Sequence, residues 1–192
     1  MTILIRSLVS FSAVTVSLPF IAACSMMSGP SPASPSPSHT VIARTMVIRT
    51  GKEIHRPGWP QYQPAFWSAP QNSVVKLTII SHDSGASPLM MTQNDQVRGT
   101  IGGTEKVDGK TVSQIANNEI SHTFTIPALG INLPIPVAPP GKTVTVTAEI
   151  PFHQAGSYLW QCMAPCATSP MGMGGAMVTP GYMRGTITIT NQ

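Results

Sequence analysis

The sequence predicts an all-β Greek-key sandwich preceded by a signal peptide and a Pro/Ser linker. Three observations lead there. The 192 residues include 19 Pro and 16 Gly with only 9% charged side chains, a composition that suits many turns and argues against a helical protein. Short runs of β-branched residues recur between Gly, Pro, Asn and Asp. Beyond the N-terminal stretch, no long segment carries a 3.6-residue apolar period.

Residues 1–23 read as an export signal. Arg6 is a sparse positive start, and Leu8 to Ile21 is apolar apart from Ser and Thr, too short and too early for a spanning helix. The stretch ends Ile21-Ala22-Ala23-Cys24, which resembles the bacterial lipobox. That resemblance implies a lipidated Cys24, a protein tethered to a membrane, and a place in the bacterial cell envelope, on the outer face of the cytoplasmic membrane or in the periplasm. Residues 24–39 then form the tether, since Gly29 to Ser38 alternates Pro with small residues and cannot build a core. The folded domain spans residues 40–192.

Within it, Val41 to Ile48 and Val74 to Ile80 are strand candidates. Pro57 to Pro70 holds Trp59, Tyr62, Phe66 and Trp67 among four prolines and reads as an irregular loop packing rings onto the sandwich. Gly99 to Ile115 reads as a hairpin turning at Asp108-Gly109. Ile120 to Ile126, Thr143 to Ile150, Ser157 to Cys162 and Gly185 to Thr190 complete the strands, the last with a clean period of two.

The chemistry lies between His122 and Cys166. One His sits on an alternating strand, and two Cys, Cys162 and Cys166, follow a later strand. Imidazole and thiolates gathered by a rigid sandwich suit a soft metal, with copper the first to consider and thioether as a weak further ligand. Alternation also places Tyr158, Trp160 and Cys162 on one face, so that rings lie beneath the sulfur. Outside the cytoplasm the same two Cys could instead form a disulfide.

Here the chain resembles the cupredoxins, and within them the CuA domain of cytochrome c oxidase subunit two. The matching residues are His122-Thr123-Phe124-Thr125-Ile126-Pro127-Ala128-Leu129-Gly130, the turn Pro140-Gly141-Lys142, and Gly156 to Cys166, GSYLWQCMAPC. The resemblance implies a copper-binding sandwich with His122, Cys162 and Cys166 as ligands. It also implies a second His four positions after Cys166, where this chain has Pro170, and a Met seven positions after, where it has Met173. Met183, just before the last strand, rivals Met173 in the way plastocyanin-like proteins place their axial Met. No His follows Cys166; His82, in Ser81-His82-Asp83-Ser84-Gly85, is a candidate for the missing imidazole, while His39, His55 and His153 read as solvated.

The expected function is a lipid-anchored cupredoxin that transfers electrons in or near a respiratory chain, with a redox protein or respiratory oxidase as partner. Such a domain makes no bond in a substrate and is not an enzyme. The alternatives are a Cu(I) carrier, scavenger or oxidase-assembly protein, and a copper-free binding module closed by a Cys162–Cys166 disulfide. The formal net charge of +4 arises from 11 basic and 7 acidic residues without a basic–aromatic cluster, so nucleic acid is not an expected partner.

Overall fold

The computed structural model describes residues 39–168 and 171–191. The signal peptide, Cys24, most of the tether and Pro170 lie outside the described residues. No helix among the described residues is long and apolar enough to cross a membrane.

The described residues form the expected all-β sandwich from eleven strands: β1 (Thr40–Arg49), β2 (Gln61–Gln63), β3 (Phe66–Pro70), β4 (Ser73–Ser81), β5 (Glu105–Val107), β6 (Lys110–Val112), β7 (Ile120–Ile126), β8 (Ile131–Pro136), β9 (Val144–Phe152), β10 (Gly156–Gln161) and β11 (Arg184–Thr190). One sheet has the order β2-β1-β4-β9-β5-β6 and the other β3-β11-β10-β7-β8. Alternation sets what each strand buries: in β4 it is Val75, Leu77 and Ile79, and in β9 Val146, Ala148, Ile150 and Phe152, with Lys76 and Glu149 outside. These side chains meet Phe124, Leu133, Trp160 and Ile187 of the facing sheet in one core.

Three parts of the expectation need correction. The Pro57–Pro70 segment is not wholly irregular, because Phe66–Pro70 pairs in parallel with β11 and Gln61–Gln63 pairs antiparallel with β1. β8, reading INLPIP, was not expected as a strand. In both cases prolines masked the pattern, and in both the strand lies at a sheet edge, where a missing N–H costs no ladder bond. The hairpin is shorter than the Gly99–Ile115 expected, with β5 and β6 turning at Asp108 (φ 46°) and Gly109 (φ 84°). Positive φ at both central residues is the type I′ turn that an Asp-Gly pair favours.

β7 and β8 are buried on both faces. Phe124 and Leu133 face the core, while Thr123, Thr125 and Asn132 face the other way, beneath the long excursion between β4 and β7. Hydrogen bonds seal that cover. Thr123 and Thr125 hydroxyls lie 2.9 Å apart, Thr125 donates to Asn132 Oδ1 at 2.7 Å, and Asn132 Nδ2 donates to the carbonyls of Asn94 (3.0 Å) and Gln96 (2.7 Å). A buried polar row of this kind is tolerated because its members satisfy one another.

Candidate metal centre

The site forms where β7 and β10 meet. They pair at a single position, Thr125 opposite Gln161, so the chain leaves β10 beside Thr123. The Thr123 amide therefore donates to Cys162 Sγ at 3.3 Å, and the Cys162 amide donates to the Met183 carbonyl at 2.9 Å. After Cys162 the backbone turns tightly, with the Cys166 amide on the Ala164 carbonyl at 2.8 Å, and this returns the second sulfur to the first.

His122, Cys162 and Cys166 each offer a ligand atom within 4.8 Å of the other two; they form the one such cluster of His, Cys, Asp or Glu among the described residues. The sulfurs stand 3.5 Å apart and both thiols are free, far from the ~2.05 Å of a disulfide. His122 is fully buried, with Nε2 3.1 Å from Asp83 Oδ2 and Nδ1 without a hydrogen-bond partner. A buried lone imidazole nitrogen beside two thiols fits a soft metal ion.

Charge in the metal-free site follows from this packing. Burial acts to lower the His122 pKa, but the hydrogen bond to Asp83, the neighbouring Cys162 sulfur and the charges of both push it up to about 9. Burial acts to raise Cys162, but the Cys166 thiol, the nearby His122 imidazole and the Thr123 amide outweigh it and draw the thiol well below its ordinary value. Cys166 moves the opposite way, raised by its hydrogen bond to Cys162 and then by burial. Burial likewise acts to raise Asp83, but its bonds to His122 and Gly85 hold it below the ordinary carboxylate value. The packing thus favours negative charge on Cys162 and Asp83 and positive charge on His122, and disfavours negative charge on Cys166.

Aromatic rings close the site from below. Trp160 stacks on Phe124 with centroids 5.3 Å apart, and Tyr62 meets Trp160 edge-on at 4.9 Å and His122 at 6.4 Å. The Tyr62 hydroxyl donates to the Thr123 carbonyl at 3.0 Å. The ring that packs edge-on against Trp160 is thus Tyr62, while Tyr158 is half-buried against the core and its hydroxyl donates to the Gln154 carbonyl at 3.1 Å.

Among the methionines, Met177 brings its Sδ to 3.4 Å from Cys166 Sγ and is 5% exposed. Met183 is fully buried and joined to the site through its backbone, to Cys162 and to the Ala176 carbonyl. Met173 is half-buried against the core, and Met171 is 76% exposed. Spacing pointed to Met183 and Met173; Met177 is the thioether placed on a thiol, through a short turn at Gly175–Met177 that spacing does not reveal.

His82 is not part of the cluster. Its Nδ1 lies 2.8 Å from Glu53 Oε1, and it lines a surface groove with Glu53 and Lys142. The next residue, Asp83, turns the other way and reaches His122 instead. His39, His55 and His153 also lie outside the cluster, and all three are exposed.

No family model matches the chain, and no curated protein matches it. Several solved structures are similar. Rusticyanin from Thiobacillus ferrooxidans aligns over 80% of this chain and 79% of its own, with 14% identity and a TM-score of 0.40. A chain of a heme-copper terminal oxidase dimer aligns over 83% and 76%, with 13% identity and a TM-score of 0.36. Auracyanin B aligns over 81% and 93%, with 16% identity and a TM-score of 0.35.

Proposed function

We propose that this chain is a copper-binding electron-transfer protein of cupredoxin type. The observation that carries the reading is the buried cluster of His122, Cys162 and Cys166, in which the imidazole keeps one nitrogen, Nδ1, without a hydrogen-bond partner. His122 Nδ1 and Cys162 are the principal ligands, Cys166 the second sulfur, and Met177 or Met183 the weak thioether. Bound copper, cycling between Cu(I) and Cu(II), supplies one-electron chemistry. The chain's own part is to hold the ligands still, through the Thr123 amide on Cys162 and the Met183 carbonyl on the Cys162 amide, and to keep water out with Tyr62, Phe124 and Trp160. The lipobox-like Cys24 supports tethering in the cell envelope, where a redox protein or respiratory oxidase would be the partner.

A second reading, Cu(I) carriage, is favoured by the Met177 thioether against Cys166, since two sulfur types around one imidazole suit the softer ion. Copper reconstitution of residues 40–192 separates the two. An electron-transfer site shows intense thiolate absorption as Cu(II), while a carrier stays colourless and retains copper under reducing conditions. Cys162→Ser abolishes both colour and copper uptake, and His153→Ala, in the exposed turn before β10, leaves both intact. Copper retained by Cys162→Ser at wild-type affinity refutes the ligand assignment.

A further inference from the structure

Asp83 stands outside the donor cluster, yet both of its carboxylate oxygens are engaged. Oδ1 accepts the Gly85 N–H at 2.8 Å, and Oδ2 lies 3.1 Å from His122 Nε2. Its backbone is fixed as well, with the amide on Ser81 Oγ at 3.3 Å and the carbonyl accepting the Ala138 N–H at 2.8 Å. The carboxylate is thus presented to the imidazole from an anchored turn rather than by a free side chain. His122 has no exposed surface and no other hydrogen-bond partner, so this contact alone settles which ring nitrogen carries the proton. A nitrogen facing a carboxylate keeps its proton, and the opposite nitrogen then offers a lone pair.

We propose that Asp83 is a positioning residue: it holds the His122 proton on Nε2, aims Nδ1 at the thiols, and adds a negative charge that favours the more highly charged state of the bound metal. The charge effect rests on the copper reading above, whereas the positioning role does not. The removal of one negative charge next to a ligand lowers the preference for Cu(II), so the reduction potential rises when the carboxylate is lost.

The test uses the full-length protein with labelled histidine. In long-range proton–nitrogen spectra of the metal-free form at alkaline pH, the wild-type His122 ring carries its proton on Nε2. Asp83→Ala shares it with Nδ1, and Asp83→Glu restores the wild-type pattern. A wild-type ring protonated on Nδ1, or an Asp83→Ala ring indistinguishable from wild type, overturns the positioning role. In the copper-loaded protein, Asp83→Ala raises the reduced-to-oxidised ratio at fixed potential about tenfold, or ~59 mV for a one-electron couple, and Asp83→Glu reverses it. An unchanged potential overturns the charge effect. A wild-type protein that takes up no copper overturns the copper reading and the charge effect with it, while the ring spectra still decide the positioning role.

Discussion

Thr123 holds Cys162 through its backbone: the amide of one donates to the sulfur of the other over 3.3 Å, so the strand that carries His122 also fixes the first thiol. The Thr123 side chain extends the same support, because its hydroxyl oxygen accepts the Met163 N–H at 2.8 Å. Imidazole strand and thiol loop are therefore joined as one unit.

Thr123→Val keeps the shape of the side chain and removes this acceptor. The Met163 N–H then loses its partner at a half-buried position, and the Thr125 hydroxyl loses a neighbour at 2.9 Å. An unsatisfied buried polar group costs about 1–3 kcal/mol, so the urea midpoint of the metal-free protein falls by that equivalent. A midpoint within error of wild type would mean that the hydroxyl does not support the loop.

Much of this architecture was legible in the sequence, and what was missed has physical causes. Runs such as Ser73–Ser81 and Arg184–Thr190 announce themselves because one face is buried and the other wet. β8 does not, since both of its faces are buried and two of its six residues are Pro, tolerated only because the strand is an edge. His122, Cys162 and Cys166 were legible through residue type and spacing. Asp83 and Met177 were not, because their roles depend on which way an extended residue or a short turn points. In Ser81-His82-Asp83 the sequence draws attention to the imidazole, and the fold uses the neighbouring carboxylate.

Glu105 should make stability fall as pH rises. It opens β5 on the same side as Val107, which pairs with Val146 of the core; it is 1% exposed, and neither carboxylate oxygen has a partner. Burial pushes its pKa from 4.5 up to about 9, so the folded protein holds a proton that the unfolded chain releases above 4.5. The folded state binds more protons between those values, and its stability is therefore fully present below pH 4.5 and declines until pH passes about 9. Glu105→Gln removes this slope. Between pH 5 and 8, denaturant unfolding of wild type loses on the order of 4 kcal/mol from this group, and the variant does not. Parallel pH profiles for the two proteins would show that the carboxyl finds a partner or water.

Gly185→Ala should unfold the end of the second sheet that carries Trp160 and Cys162. Gly185 lies opposite Trp160 in the β10–β11 register, and a Cβ there would sit 1.9 Å from the Ala65 carbonyl oxygen and 2.7 Å from Trp160 Nε1. That carbonyl already accepts from Trp160 Nε1 at 2.9 Å and from the Thr186 amide at 3.2 Å. The backbone before β3 must move away, and both bonds are lost together with the stack of Trp160 on Phe124. The cost exceeds about 4 kcal/mol, in the class of severe core overpacking, and a red shift of Trp160 fluorescence accompanies it. Gly109→Ala is the control. That turn has φ 84° and nothing within 4 Å of an added Cβ, so only the left-handed backbone penalty of about 1–2 kcal/mol applies. Equal destabilisation by the two substitutions would show that close approach at Gly185 is not what holds Trp160 on the Ala65 carbonyl.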